Sequence, residues 1–163
     1  MPSVFVRIYY MAFPLFFFRI LGQCGLLLMA GDALAVCTVS ANAVNLGAIT
    51  IGTEGRGLLS PVANCTAATP YSYSFSSING GAGGKLSSGA CALNYSIVSY
   101  TASGGVYGSI NYFVSPTPGL TGSGVNQTAT FGLVVPAAQG GCVLTPGAAA
   151  ITVTDTLVVS VNY

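Results

Sequence analysis

The sequence contains no tryptophan and no histidine, and its 163 residues include only four lysines or arginines and three acids. Each shortage excludes something. Without histidine there is no His-dependent serine or cysteine triad and no imidazole ligand for zinc. A net charge of +1 leaves no basic patch for nucleic acid and no field to steer a charged ligand. A soluble monomer usually carries about a quarter charged residues, whereas this chain carries 4%. Its surface must therefore be built from Ser, Thr, Asn and Gly, which suits a protein that lives assembled or outside the cell. After Cys37 no stretch keeps an apolar period of 3.6 residues, so amphipathic helices are not expected.

Long apolar runs are confined to one place. Residues 1–35 differ from everything that follows and carry all three methionines, at positions 1, 11 and 29. An apolar run from Ile20 to Gly31 follows Arg19, and Ala33-Leu34-Ala35 has the small-x-small form of a signal-peptidase site. We expect an export signal over 1–35, cleaved before Val36, with translation starting at Met1 or Met11. A transmembrane anchor is the alternative, but the run after Arg19 falls short of the roughly 20 residues a span needs. Cys24 follows Gln23, which is the wrong size for a lipobox. The remainder, 36–163, is one domain long enough to bury a core unaided.

Behind an export signal, the four cysteines Cys37, Cys65, Cys91 and Cys142 read as two disulfides. No CxxC pair is present to suggest metal, and the count alone leaves three pairings open. No cofactor is implied. The rest alternates in short runs: 44–51, 57–65, 70–78, 92–100, 106–114, 128–135 and a terminal one, "ITVTDTLVVSVNY", from Ile151 to Tyr163. Seven such runs predict an all-β sandwich. In "YSYSFS" Tyr71, Tyr73 and Phe75 share one face and serines the other. At the end, Leu157, Val159, Val161 and Tyr163 share a face, so the chain finishes on a strand instead of a frayed tail. Segments 79–89 and 115–124, rich in glycine, serine and proline, read as flexible loops.

Catalytic chemistry finds little footing. Glu54 and Asp155 are the only carboxylates after residue 35, and nothing in the sequence places them together. A Ser-Lys pair would need Lys85 from the glycine-rich 79–89 segment. Glu54, Arg56 and Lys85 read as solvated turn residues, and no enzyme is expected. The triplets at Asn64, Asn94 and Asn126 match the glycosylation pattern, but they arise readily in a chain this rich in Asn, Ser and Thr.

"CTVSANAVNLGAITIG", "VANCT" before an aromatic alternating strand, "LNYSIV", "FGLVVPAAQ" and "TVTDTLVVSVNY" occur in that order. Together they resemble the spore coat protein U family, which is close to the pilin subunits of archaic chaperone-usher pili. The middle departs from the family: a tryptophan-glycine element is missing and "GGKLSSG" stands in its place. The resemblance implies an immunoglobulin-like sandwich lacking its last strand, a disulfide joining Cys37 to Cys65, and with it a second between Cys91 and Cys142. It implies a periplasmic chaperone, an outer-membrane usher and a neighbouring subunit as partners, with export through the periplasm to the cell surface. Leu157, Val159, Val161 and Tyr163 would then line an acceptor groove, with the Tyr163 carboxylate gripped by the chaperone. Burying four such side chains is worth about 6 to 12 kcal/mol, comparable to a domain's whole stability of about 5 to 15 kcal/mol. An incoming strand should therefore stabilise the domain strongly. Only Val36 separates the expected cleavage site from Cys37, so the processed chain can accept a strand but has none to give, which suits a fibre tip. The competing reading is a stand-alone secreted coat or carbohydrate-binding module that closes its own groove and binds through 79–89 and 115–124.

Overall fold

The computed structural model describes residues 3–7, 35–46, 52–80, 83–89, 91–137, 139 and 153–163. Met11, Cys24, the apolar run 20–31, Cys142 and the end of the 44–51 run lie outside the described residues. Among the described residues thirteen strands follow in chain order. They are β1 (Ser3–Arg7), β2 (Cys37–Ser40), β3 (Val44–Asn45), β4 (Gly55–Leu59), β5 (Val62–Cys65), β6 (Pro70–Ser77) and β7 (Gly84–Ser88). After these come β8 (Cys91–Thr101), β9 (Val106–Tyr107), β10 (Leu120–Thr121), β11 (Gln127–Thr128), β12 (Phe131–Val135) and β13 (Thr154–Asn162). The described chain is all-β and forms the expected immunoglobulin-like sandwich.

The period-2 pattern explains the pairing. β6 lies antiparallel to β13, from Leu157 opposite Ser77 to Asn162 opposite Ser72. That register puts Tyr71, Tyr73 and Phe75 inside together with Leu157 and Val159, all of them buried. A one-residue slip would turn both strands inside out. Opposite them, β12 pairs with β8 on one edge and β4 on the other. Its Phe131 meets the rings of Tyr73 and Phe75 edge-on, with centroids 5.6 and 5.1 Å apart. Such edge-to-face contacts add about 0.5 to 1.5 kcal/mol each beyond area burial. Leu59, Leu86, Ile97 and Leu133 complete the fully buried centre. A second, three-stranded sheet is ordered β11, β5, β2, and the Cys37–Cys65 disulfide joins two of its strands at a directly paired position.

Five expectations from the sequence change: the 115–124 segment holds the short strand β10, the 128–135 run is divided between β11 in the small sheet and β12 in the large one, and the other three follow. The 57–65 run is two strands, because Pro61 has no N–H to donate to a ladder. Before it β4 belongs to the large sheet, and after it β5 belongs to the small one. The 79–89 segment is not simply a loop, since its second half is β7, paired antiparallel with β8 from Gly84 opposite Tyr95 to Ser88 opposite Cys91. Gly84 is there to accommodate its partner: a Cβ would come within 2.5 Å of the Tyr95 ring. Leu86, the one apolar residue of β7, is completely buried. Finally, the 106–114 run keeps only β9 as strand. The rest follows β8 as irregular chain, tied by Gly108 N donating to Ser99 O at 2.8 Å and Tyr112 N to Ile97 O at 2.7 Å.

Candidate functional site

The surroundings of β13 are the informative part of the structure. Thr154 is paired with Ser87 of β7 and also with Ser3 of β1. A strand residue has only two edges, so β1 lies on the edge away from β7. Leu157 to Asn162 give the β7 edge to β6. β1 runs parallel to β13, from Ser3 opposite Thr154 to Arg7 opposite Val158. It is also antiparallel to β3, with Ser3 opposite Asn45 and Val4 opposite Val44. At Thr154 and Asp155 there is therefore a slot one strand wide between β3 and β13, about 10 Å between the flanking backbones at ordinary strand spacing, and beyond Asp155 it is bounded by β13 alone.

On the sequence reading, an open outer edge is expected on the terminal strand. In the full chain that edge is paired from Thr154 to Val158, and the pairing segment lies inside the stretch expected to be an export signal. The sign was present in the sequence: "SVFV" is β-branched and aromatic, a strand composition ahead of the apolar run. Ile78 N donates to Thr156 O at 3.0 Å, which fixes the orientation of the β13 backbone. Even residues turn their N–H and C=O toward β6, and odd residues, Asp155 to Val161, turn theirs toward the slot.

The four side chains singled out at the end of the sequence are not equivalent. Leu157 and Val159 have no exposed surface, and Val161 is partly buried against the same core. Tyr163 lies beyond the end of β13 and is 57% exposed, so it adds nothing to core burial. The physical reason is that the alternating pattern outlasts its partner: the β6 register ends at Asn162 opposite Ser72. Among the cysteines, Cys37 and Cys65 are bridged. Cys91 is also disulfide-bonded, and its expected partner, Cys142, lies outside the described residues.

At the other end of β13, the alternation carried back by two residues puts Asp155 on the buried face, and it is only 2% exposed. Its Oδ2 accepts from the Ser77 hydroxyl at 2.6 Å and the Tyr95 hydroxyl at 2.7 Å. Its Oδ1 accepts from Asn79 N at 3.3 Å. Ser77 Oγ in turn accepts from Gly80 N at 2.9 Å and Lys85 N at 3.3 Å. One carboxylate thus ties β13 to the end of β6, to the turn after it, to β7 and to β8, where the slot begins. Burial pushes the Tyr95 hydroxyl well above the ordinary tyrosine range, and its bond to Asp155 raises it further. Burial likewise raises Tyr73, with Tyr71 beside it as the second cause.

Glu54 is not brought to Asp155. It is exposed and ion-paired with Arg56, whose guanidinium lies 4.8 Å from the centroid of the Tyr107 ring. Lys85 is half-buried on β7 instead of sitting in a solvated turn. Asn64 Nδ2 donates to Asn126 Oδ1 at 3.1 Å, so two of the three glycosylation-like triplets hold each other. An open depression of about 310 Å³ lies elsewhere, between β6 and residues 112–116, lined by Phe75, Tyr112, Val114 and Asn162 among others. Among the described residues no three His, Cys, Asp or Glu side chains gather as metal ligands, and no helix is long and apolar enough to cross a membrane.

No known protein family matches this chain, and no curated protein does. A solved structure does match. It is the crystal structure of the CsuC–CsuE chaperone–tip adhesion subunit pre-assembly complex from archaic chaperone-usher Csu pili of Acinetobacter baumannii. The TM-score is 0.51 at 19% sequence identity, over 80% of this chain. The present chain spans 40% of the matched chain's length. At that identity the likeness is one of fold.

Proposed function

We propose that the protein is a non-enzymatic structural or adhesive subunit of a bacterial surface fibre of the chaperone-usher type. It is exported through the periplasm and takes a β-strand into the slot between β3 and β13. A periplasmic chaperone supplies that strand first, and a neighbouring subunit replaces it after passage through an outer-membrane usher. The observation that carries this reading is the slot edge of β13, which lies one strand away from β3 at Thr154 and Asp155 and whose strand buries Leu157 and Val159. The likeness of fold to a chaperone–subunit complex of such a system supports it. The single residue ahead of Cys37 after the expected cleavage supports a subunit that accepts a strand without donating one, as at the tip of a fibre.

The test is co-production in a periplasm with a chaperone of the archaic chaperone-usher class, followed by co-purification. The chain should be recovered bound to the chaperone. Val161→Pro removes an N–H that faces the slot and leaves the bonds to β6 in place, a position where proline is tolerated. It should abolish recovery while the unbound chain keeps its β-rich circular dichroism. Recovery of Val161→Pro at the wild-type level overturns the assignment.

A second reading is favoured by one observation, the pairing of β1 with β13. If residues 3–7 are retained on export, the chain fills its own slot, needs no partner strand and works as a stand-alone secreted coat or carbohydrate-binding module. The depression beside Tyr112 and residues 115–116 is where such a module would bind. A cooperatively melting monomer that never co-purifies with a chaperone would decide for it.

A further inference from the structure

Where β6 and β13 pair, a further strand has two sides to add to: the slot edge of β13 and the outer edge of β6. Ile78 N donates to Thr156 O, so the even residues of β6 turn their N–H and C=O toward β13 and the odd ones turn theirs outward. On that outer edge β10 pairs only with Pro70 and Tyr71, Leu120 lying opposite Tyr71. Continuing the register by two residues would set Pro118 opposite Tyr73, and proline has no N–H to give the Tyr73 carbonyl. The Thr117 hydroxyl stands in for it. It donates to Tyr73 O at 2.9 Å and accepts from Tyr73 N at 2.8 Å, the two bonds that a paired strand residue would make. Thr117 is buried, and Pro116 and Pro118 on either side of it stiffen the backbone there while offering no N–H to a further strand. Beyond Thr117 no described strand covers β6, and the depression lined by Phe75, Tyr112 and Val114 lies at that level.

From this geometry we infer that Thr117 is a specificity-determining residue: its hydroxyl closes the outer edge of β6 against strand addition, so that an incoming strand adds at β13. With Thr117 in place the uncovered remainder of β6 is 75–77, three residues. Without it the remainder is 73–77, five residues, the length of an ordinary strand. An open edge of that length is a template for another chain, and the occupant it fits is a second copy of this one. Two such edges meet antiparallel about a two-fold axis through Phe75, with Tyr73 of one copy opposite Ser77 of the other and Ser74 opposite Ser76. In that register Tyr73 and Phe75 stay on the inner face of both copies and Ser74 and Ser76 on the outer. The confinement of strand addition to β13 rests on the strand-accepting reading above, whereas the closure of β6 does not.

The experiment uses the exported chain as it is recovered from the periplasm, bound to a chaperone or free, and compares wild type with Thr117→Val and Thr117→Ser. Valine keeps the volume and removes the hydroxyl, and serine keeps the hydroxyl. In sedimentation velocity the Thr117→Val chain should dimerise at a concentration at least tenfold lower than wild type, with Thr117→Ser unchanged. Adding Ser74→Lys and Ser76→Lys sets like charges opposite each other in the expected register and should return Thr117→Val to the wild-type value. The same two lysines at the exposed positions Ser103 and Ser109 should not. A Thr117→Val chain no more prone to dimerise than wild type, or a dimer that both lysine pairs affect alike, overturns the closure. Where Thr117→Val is not recovered, hydrogen exchange in the wild-type chain decides: the Tyr73 amide should exchange at least tenfold more slowly than the Phe75 amide, and equal rates overturn the closure. Chaperone capture is read separately. Its absence alongside the expected β6 result retires the strand-accepting reading and leaves the closure, whereas capture of a Thr117→Val chain that does not dimerise does the reverse.

Discussion

Asp155 offers the most exacting check on the structure, because a buried carboxylate is stabilising only if its partners are in place. Tyr95→Phe removes one hydrogen bond to a charged acceptor, 2.7 Å long in the native chain, and should cost about 1.5 to 3 kcal/mol. Asp155→Ala is worse. It leaves the buried hydroxyls of Tyr95 and Ser77 and the amide of Asn79 without their acceptor. Orphaned buried groups cost about 1 to 3 kcal/mol each, and loss of one member of a buried polar cluster about 3 to 5 kcal/mol altogether. In the Asp155→Ala background the tyrosine hydroxyl is a liability, so adding Tyr95→Phe should cost close to nothing. The coupling energy of the cycle should therefore be about 1.5 to 3 kcal/mol. Asp155→Asn, which keeps the volume but offers one acceptor oxygen, should fall between wild type and Asp155→Ala. The assay is urea unfolding of the full chain followed by far-ultraviolet circular dichroism, chosen because there is no tryptophan to report. If Tyr95→Phe costs the same in both backgrounds, within about 0.5 kcal/mol, the carboxylate and the phenol do not act as a unit and the account of the slot's upper end is wrong.

Two further predictions concern stability at alkaline pH and the visible disulfide. Burial raises the hydroxyls of Tyr95 and Tyr73 above the ordinary value. From about pH 10, where unfolded tyrosines ionise, the unfolded state therefore binds fewer protons than the folded one, and stability falls as pH rises. Each group contributes up to about 1.4 kcal/mol per pH unit, and Tyr95→Phe should flatten the slope of unfolding free energy against pH by one proton. The Cys37–Cys65 bridge closes a loop with a sequence separation of 28. Replacing both cysteines with serine should cost about 3.5 kcal/mol by chain entropy, seen as a lower urea midpoint. An unchanged midpoint would mean that the small sheet holds β2 and β5 together without the bridge.

Composition and alternation were enough for the class of fold. A chain with two-residue periodicity, frequent glycine and no helical repeat can bury its apolar residues only in sheets, and Tyr71, Tyr73 and Phe75 are buried as their spacing requires. The same logic assigns Leu157 and Val159 to the core. Alternation says which face of a strand is inside, but not which strand lies at each edge, because backbone hydrogen bonds do not depend on side chains. Three outcomes were therefore decided only by tertiary structure. β7 exists because the long β8 offers a ladder to a segment whose own sequence, with one apolar residue, cannot specify a strand. Asp155 is buried because Ser77, Tyr95 and Asn79, distant in sequence, converge on it as donors. The slot beside β13 is defined by β3, nearly the whole domain away along the chain, and residues 3–7 pair there because they supply strand-forming residues in a matching register. The sequence determined that the last strand has an apolar face to cover, and the packing of distant segments determined where its open edge lies and what fills it.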